Sequence, residues 1–353
     1  MIKVSSLIKI KDRVIGESQP PYIIAELSSN HNGSLDRALQ TISMAKSMGA
    51  DAVKFQTYTP DTLTIDSQKE DFKIKGGLWD GFTLYELYKL AFTPFEWHQE
   101  MFDYAQSVDI TCFSTPFDES AVDLLEDLNT PAYKVASFEI IDIPLIKYIA
   151  STKKPMIIST GMANKKEIQE AVDVARENGG NEIILLHCIS GYPTPVEQSN
   201  LLTIPDMRDF FGLPVGLSDH TLGTEVSIAS IALGATVIEK HFTLDASDKG
   251  PDSEFSLEPD QLNRLCVECK SAWEALGSAG YERKPAEKDS IKFRRSIYVV
   301  EDIDSGGILT KENTRRIRPG YGLPPKYFNE LIGKKVKSRI EKGTPLDWDM
   351  LEK

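Results

Sequence analysis

The chain has 353 residues, of which 41% are hydrophobic and 26% are charged, and its formal net charge is −13. These are ordinary values for a globular protein: no segment is apolar for long enough to span a bilayer, and the acidic balance disfavours nucleic acids and anionic membrane surfaces as partners. The amino terminus lacks the apolar core of a secretory signal, so we expect a cytoplasmic protein.

Residues 2–15 alternate between apolar and polar side chains, which predicts a short hairpin ahead of the main fold. From Tyr22 onward the chain repeats a short apolar strand, a polar turn and a segment of helical period. The eight predicted strands are Tyr22–Ala25, Ala52–Phe55, Ile110–Phe113, Ala132–Ala136, Met156–Ile158, Glu182–Leu186, Pro214–Leu217 and Thr236–Glu239. Helices are predicted at Leu35–Met48, Glu119–Leu128, Lys165–Glu177 and Glu225–Leu233. Successive βα units predict an α/β fold, a (β/α)8 TIM barrel, whose reactive groups lie at the carboxyl ends of the strands.

A long excursion, Thr57–Pro94, interrupts this rhythm and contains a glycine-rich and aromatic stretch at residues 75–81. Loops that follow barrel strands form the active face, so this stretch is a candidate for substrate contact. The alternative is a surface Ω-loop packed on its own Trp79 and Leu84.

The composition changes after a predicted helix at Pro259–Leu276. Residues 278–292 are polar and charged and are predicted to be a linker. Beyond them, short apolar pairs lie among glycines and prolines, which predicts a small domain of short strands and turns. The expected organisation is a barrel domain with its hairpin over residues 1–277, a linker over 278–292 and a small domain over 293–353.

The four cysteines do not predict disulfides. They are Cys112, Cys188, Cys266 and Cys269, too few for a disulfide framework in a chain of this length. Cys266 and Cys269 have the spacing of half a zinc site, but no second pair exists, so reduced structural thiols are expected.

Two histidines at the ends of the last two strands predict a metal site. His220 and His241 are about one strand–helix repeat apart, so a parallel fold sets them side by side. Neutral imidazoles are common ligands of divalent ions, and the adjacent Asp219, Glu239 and Lys240 add charges for acid–base or Lewis-acid chemistry. The alternative is that each histidine merely ends a buried strand.

Two lysines in apolar runs predict an anion site. Lys54 and Lys134 lie where an unpaired ammonium would be costly, so each needs a negative partner. A phosphate or carboxylate could be held by these charges and by nearby hydroxyls. The nearby hydroxyls are those of Ser137, Ser159 and Ser218. Structural ion pairs with Glu26 or Glu139 are an alternative, and a Schiff-base lysine, which would indicate an aldolase, is another.

Seven motifs in one order resemble the sialic acid synthase family. They are residues 23–26 with 30–33, then 53–56, 133–137, 159–162, 192–195, 216–221 and 239–242. The resemblance extends over nearly the whole chain, and Ile317-Arg318-Pro319-Gly320 is similar to the antifreeze-like (SAF) domain of that family. Any one motif is weak, but this order at barrel spacing is specific.

The resemblance implies a reaction in which phosphoenolpyruvate condenses with an open-chain N-acetylated sugar aldehyde, giving a nine-carbon 2-keto acid and phosphate. It implies a divalent metal, Mn²⁺ or Mg²⁺, held by His220 and His241, and acid–base carboxylates at Glu26 and Glu239. The implied phosphoenolpyruvate contacts are Lys54, Lys134, Ser137, Ser159, Ser190 and Ser218. The implied sugar contacts are Gln56, Glu139, Tyr192, Asp252 and Arg318. Arg318 would lie over the barrel of a partner subunit, because family members are domain-swapped homodimers.

Details of the motifs indicate a subgroup. Ser190 stands where neuraminate-making members tend to carry Asn, and residues 71–81 and 250–257 resemble the pseudaminic acid synthases. That resemblance implies 2,4-diacetamido-2,4,6-trideoxy-altrose as the sugar, for whose methyl and acetamido groups three aromatic residues could form an apolar wall. These residues are Trp79, Phe82 and Phe255. The alternatives are an N-acetylneuraminate or N,N'-diacetyllegionaminate synthase, a Schiff-base aldolase, and a non-catalytic sugar-binding protein.

Overall fold

The structure is a computed structural model, and it describes residues 7–352. The chain divides into two compact units, Met1–Gly277 and Ser278–Lys353. In the first unit β1 (Ile8–Ile10) and β2 (Arg13–Ile15) form an antiparallel hairpin. The part of the predicted hairpin in residues 2–6 lies outside the described residues.

Eight parallel strands form a closed barrel in chain order, with the last strand paired to the first. They are β3 (Tyr22–Glu26), β4 (Ala52–Thr57), β5 (Thr111–Pro116), β6 (Tyr133–Val135), β7 (Met156–Ser159), β8 (Ile183–Cys188), β9 (Val215–Asp219) and β10 (Val237–His241). The predicted (β/α)8 barrel is therefore confirmed. Most strands run one or two residues further at the carboxyl end than predicted, because the polar residues there still pair with the neighbouring strand.

Helices follow the strands and cover the outside of the barrel. They are α1 (Leu35–Met48), α2 (Pro60–Leu63), α3 (Leu84–Ala91), α4 (His98–Ser107), α5 (Glu119–Asp127), α6 (Ile143–Ser151), α7 (Lys165–Glu177), α8 (Thr203–Phe211), α9 (Glu225–Ala232) and α10 (Pro259–Leu276). Local signals fix several of their ends: Ser34 caps the start of α1, and Gly49, with a φ of 99°, ends it in the left-handed conformation. Sequence analysis did not predict α3, which begins at a capping box formed by Thr83 and Glu86.

The core of the first unit has two layers, because successive residues of a strand face opposite sides. Ile23 and Ala25 of β3 face the helices and pack in the outer layer. Tyr22 and Ile24 face the barrel interior, where they pack with Ile8 and Ile10 of the hairpin. The hairpin therefore fills the barrel from the end at which the strands begin, and the other end is left to polar residues.

The second unit has its own small core. Its elements are β11 (Ser296–Val299), β12 (Thr314–Ile317) and α11 (Phe328–Leu331), with a 3-10 helix at Pro285–Phe293. β11 and β12 pair antiparallel, and Ile297 and Val299 pack against Leu331 and Val336. Within residues 7–352, no helix is both long enough and apolar enough to cross a membrane.

Candidate active site

The polar residues predicted at strand ends meet at one end of the barrel, because parallel strands all finish there. Strand register sets their neighbours: Glu26 of β3 lies beside Lys54 of β4 and beside His241 of β10. Glu239 of β10 lies beside Ser218 of β9. The closed barrel therefore brings the first and last strands together, although they are over 200 residues apart.

Four buried charged residues form one cluster at this end. Nζ of Lys54 lies 2.6 Å from Oε2 of Glu26 and 3.9 Å from Oε1 of Glu239. The same oxygen of Glu239 lies 3.7 Å from Nζ of Lys134. The ion-pair alternative therefore holds for Lys54 with Glu26, whereas Lys134 faces Glu239 rather than Glu139.

Hydroxyl groups of adjacent strands complete the cluster. Lys54 donates to Oγ1 of Thr115 at 2.9 Å, and Ser218 donates to Oε1 of Glu239 at 3.5 Å. Oε2 of Glu239 is buried and has no hydrogen-bond partner among the described residues. Leaving such an oxygen unpaired is costly, so this atom is a place where a hydroxyl of a ligand or a water can bind.

Burial and neighbouring charges shift the pKa values in the cluster. Burial raises the pKa of Glu26, against the opposing effect of Lys54. Burial lowers the pKa of Lys134, and Glu239 only partly offsets this. Burial also acts to lower the pKa of Lys54, but Glu239 and Glu26 outweigh it and the pKa is raised. Glu26 therefore takes up a proton more readily than an exposed carboxylate, as a base working near neutral pH must.

Serines of the predicted anion site meet around Gly161, just after β7. The N–H of Gly161 donates to Oγ of Ser137 at 3.1 Å, and a Cβ at Gly161 would overlap the hydroxyl oxygens of Ser137 and Ser190. Only glycine lets these groups approach so closely. At the end of β7, Lys134 donates to Oγ of Ser159 at 2.7 Å. Hydroxyls and an ammonium group thus lie together, a donor set that suits a phosphate.

A chain of hydrogen bonds joins Glu26 to Asp252. Nε2 of Gln56 donates to Oε1 of Glu26 at 3.1 Å and to Oγ of Ser28 at 2.9 Å. Ser28 then donates to Oδ2 of Asp252 at 2.5 Å, and Ser29 donates to the same oxygen at 2.9 Å. Gln56 and Asp252, both predicted sugar contacts, therefore share a partner in Ser28.

Aromatic rings surround Tyr192. Its ring centroid lies 4.4 Å from that of His220, 5.3 Å from Phe255 and 5.6 Å from Trp79. Nε1 of Trp79 donates to the carbonyl oxygen of Pro251 at 3.0 Å. Trp79 therefore packs on the loop after β10 and beside Tyr192, so the alternative of an Ω-loop packed on its own side chains is wrong.

The two histidines lie side by side, with ring centroids 5.4 Å apart. Nδ1 of His220 lies 3.1 Å from the carbonyl oxygen of Ile189, so Nδ1 carries the hydrogen and Nε2 is left for a ligand. Nδ1 of His241 is buried with no hydrogen-bond partner in the described part of the chain. Burial holds the pKa of His241 well below its usual value, so the ring is neutral, which is the form that binds a metal.

These features fit a divalent metal held by only two side chains of the protein. In residues 7–352, no group of three or more His, Cys, Asp or Glu side chains is arranged to hold a metal ion. Oxygens of substrate and water would therefore supply the other ligands. Burial acts to lower the pKa of His220, but contacts with Cys188 and Ile189 outweigh it and the pKa is raised, so a proton would compete with a metal for Nε2.

Asp219 and Lys240 do not face this site. Nζ of Lys240 lies 2.9 Å from Oδ2 of Asp219, and both side chains are almost completely buried. Alternate residues of a strand point to opposite sides, so Glu239 and His241 face the barrel mouth while Lys240 does not. The prediction that Asp219 and Lys240 supply charges for the chemistry is therefore wrong.

Three predicted residues lie apart from the central cluster. Glu139 follows β6, where burial raises its pKa to about 7 and leaves Oε2 without a hydrogen-bond partner among the described residues. Phe82 is 38% exposed and lines, with Trp79, a groove of about 560 Å³. Arg318 belongs to the second unit and is exposed there.

Sequence reasoning missed several residues of the site. Ser28 and Ser29 hold the predicted residue Asp252 in place, and Sγ of Cys188 lies 3.8 Å from Nδ1 of His220. All four cysteines are free. Each missed residue lies at the end of a barrel strand or just beyond it, and that position is the signal that could have identified it.

Comparisons with known proteins agree on the family. Residues 41–281 match the sequence model of the NeuB family, and residues 294–352 match that of the SAF domain. The pseudaminic acid synthase of Campylobacter jejuni subsp. jejuni serotype O:23/36 (strain 81-176) is 46% identical over 325 residues, covering 92% of this chain and 95% of that protein. The pseudaminic acid synthase of Helicobacter pylori is 43% identical over 336 residues, covering 95% and 99%.

A solved structure shows the same architecture. The crystal structure of N-acetylneuraminic acid (sialic acid) synthetase from Leptospira borgpetersenii serovar Hardjo-bovis matches with a TM-score of 0.73 and 31% sequence identity. The match covers 82% of this chain and 96% of that chain.

Proposed function

Because the chain belongs to the NeuB family and carries an SAF domain, we propose that it is a pseudaminic acid synthase. In this reaction phosphoenolpyruvate, 2,4-diacetamido-2,4,6-trideoxy-altrose and water give a nine-carbon 2-keto sugar acid and phosphate. The observation that carries the chemistry is the buried cluster of two lysines and two glutamates beside the histidine pair. The sugar is inferred from the two pseudaminic acid synthases described above.

Phosphoenolpyruvate would bind where ammonium groups and hydroxyls converge. Lys54 and Lys134 would neutralise its negative charges, and Lys134 already donates to Ser159, which is another proposed contact of phosphoenolpyruvate. Ser137 and Ser190 approach each other at Gly161 and add hydroxyl donors. The remaining predicted contact, Ser218, reaches the site through Glu239.

Bond formation joins the methylene carbon of phosphoenolpyruvate to the aldehyde carbon of the sugar. When bound by His220 and His241, a divalent metal would polarise the aldehyde oxygen, and Mn²⁺ is the ion we propose. Water then adds to the former C2 of phosphoenolpyruvate, and the phosphate leaves. Glu26, whose pKa burial raises, would take the proton of this water. Glu239 has a free buried oxygen for a second proton transfer.

The sugar would lie between Gln56, Asp252 and Tyr192. The side-chain amide nitrogen of Gln56 donates both of its hydrogens within the protein, to Glu26 and to Ser28. Its carbonyl oxygen therefore remains to accept a hydrogen bond from an acetamido N–H of the sugar. Trp79 and Phe255, on two sides of Tyr192, provide an apolar wall for the methyl and acetamido groups. Glu139 is proposed as a further contact.

The remaining features of the proposal rest on the resemblance. We propose a domain-swapped homodimer in which Arg318 reaches the barrel of the partner subunit. The domain limits at residues 277 and 293 remain predictions, and we propose a cytoplasmic location.

Phosphate release tests this function directly. The full-length protein is incubated with phosphoenolpyruvate and Mn²⁺ and with one of three sugars: the diacetamido-trideoxy-altrose, N-acetylmannosamine, or the diacetamido precursor of legionaminic acid. We expect turnover of the altrose, a product mass equal to both substrates plus water minus phosphoric acid, and loss of activity in EDTA. Preference for either other sugar would overturn the proposed substrate, and turnover unaffected by EDTA would overturn the proposed chemistry.

A further inference from the structure

The ion pair between Asp219 and Lys240 lies directly behind the two histidines. The two residues are register partners in β9 and β10, and they precede His220 and His241 in the chain. Their side chains are 1% and 0% exposed. Any shift of this pair therefore moves the backbone from which both imidazoles project.

The contacts of Asp219 tie down the residues on either side of His220. Oδ1 of Asp219 accepts from the N–H of Thr221 at 2.9 Å and from its hydroxyl at 2.7 Å. Oδ2 accepts from Ser227 of α9 at 2.5 Å. Lys240 donates to the carbonyl oxygen of Thr221 at 2.6 Å. His220 is thus held between two residues, and Lys240, which precedes His241, contacts both of them.

Stability alone is a weak reason for such a pair. Two charges buried between a sheet and a helix lose their hydration, and replacing such pairs with apolar residues is often neutral or stabilising. A charged pair does, however, restrict geometry more than apolar packing does, because its hydrogen bonds have short, directed contacts. Because the pair lies next to His220 and His241 in the chain, its placement indicates that the positions of the two imidazole rings must be held fixed.

We propose that Asp219 and Lys240 are positioning residues, which hold His220 and His241 in the arrangement that binds the divalent metal. Neither residue touches substrate or metal. This inference rests on the proposed function, because it takes the histidine pair as the metal ligands. The inference gives a role to a buried ion pair on the outward-facing side of the barrel strands. The proposed reaction does not use this pair directly.

The test compares Mn²⁺ binding with folding. A double variant, Asp219→Leu with Lys240→Met, replaces the pair by apolar side chains without leaving a charge unpaired. Titration calorimetry with Mn²⁺ alone should show binding weakened by about ten-fold or more, since residues that orient metal ligands have effects of this size. Thermal unfolding should stay cooperative, and the activity lost at low Mn²⁺ should return at high Mn²⁺.

Two single variants keep the test decisive if the double variant does not fold. Ser227→Ala removes one hydroxyl that donates to Asp219, whereas the matched control Ser230→Ala removes a buried hydroxyl of the same helix that donates only to the carbonyl oxygen of Ser227. We expect weaker Mn²⁺ binding for Ser227→Ala and unchanged binding for Ser230→Ala.

Two results would overturn the inference, and they have different meanings. Equal Mn²⁺ affinity in the parent, the double variant and Ser227→Ala would show that the pair is structural only, with the proposed function intact. No Mn²⁺ binding by the parent protein, with no turnover in its presence, would remove the proposed function and this inference together.

Discussion

The ammonium group of Lys54 lies 2.6 Å from the carboxylate of Glu26, and both are buried where the first two barrel strands end. The pair sits on neighbouring strands in direct register. Lys54 belongs to the proposed anion site and Glu26 is the proposed base. Substitutions of the two residues therefore test substrate binding and catalysis separately.

Replacing Glu26 by Gln tests its role as the base. The amide keeps the size of the side chain and can still accept from Gln56, while Lys54 still faces Glu239. We expect kcat to fall by about 100-fold or more, with a smaller change in the KM for phosphoenolpyruvate, because general-base catalysis contributes effects of this size. Steady-state phosphate release measures both.

The matched control for this change is Glu126→Gln. Oε1 of Glu126 lies 2.7 Å from Nζ of Lys154, and this ion pair is remote from the barrel mouth. The control substitution should leave kcat unchanged. If Glu26→Gln kept more than half of the parent kcat, Glu26 would not be the base.

Replacing Gly161 by Ala tests the proposed phosphate site. The new Cβ would overlap the hydroxyl oxygens of Ser190 and Ser137, so one or both must move. We expect the KM for phosphoenolpyruvate to rise by about ten-fold, equivalent to about 1.4 kcal/mol, with little change in the KM for the sugar. Gly191→Ala is the control, because its Cβ would meet no atom closer than 3.5 Å. Equal KM values in both variants would count against the site.

Removing one histidine tests the proposed metal site. His241→Ala should lose measurable Mn²⁺ binding and turnover, because only two protein ligands are proposed. The control is His98→Gln, at another buried histidine whose ring nitrogens contact Thr57 and Pro94. This control should lose thermal stability but keep its Mn²⁺ affinity. Retained Mn²⁺ binding in His241→Ala would rule out the histidine pair as the ligand set.

Replacing Trp79 tests the apolar wall of the sugar site. Trp79→Ala removes the ring beside Tyr192, and we expect the KM for the sugar to rise about ten-fold or more, as the loss of a buried aromatic contact does. Trp79→Phe keeps a ring but loses the hydrogen bond to Pro251, so it should have a smaller effect. An unchanged sugar KM in Trp79→Ala would exclude this residue from the wall.

The pKa of Glu139 predicts a pH dependence of stability. Burial raises the pKa in the folded state to about 7, above the value of about 4.3 expected in the unfolded chain. Between these values the folded state holds a proton that the unfolded state releases, so the contribution of Glu139 to the free energy of unfolding falls as the pH rises through this window.

Glu139→Gln should therefore raise Tm relative to the parent at pH 8 and leave it unchanged at pH 4, as measured by calorimetry. The exposed Glu177, at the end of α7, provides the control: Glu177→Gln should melt like the parent at both pH values. A Glu139→Gln variant with the same Tm as the parent at pH 8 would contradict the raised pKa.

The sequence by itself determined the barrel and most of the residues at its mouth. The apolar period of strands and helices is a local property, and eight βα units in a row leave little choice of fold. Once the strands are known to be parallel, Lys54, Lys134, His220 and His241 must come to the same end.

Only the tertiary structure decided which of these groups face each other. The strands extend through Asp219 and His241, so the side-chain alternation turns Asp219 and Lys240 away from the site and leaves Glu239 facing Lys134. Ser28 and Asp252 are 224 residues apart, yet they share a hydrogen bond of 2.5 Å. Local patterns do not encode such pairs, because barrel closure and the packing of loops bring these atoms together.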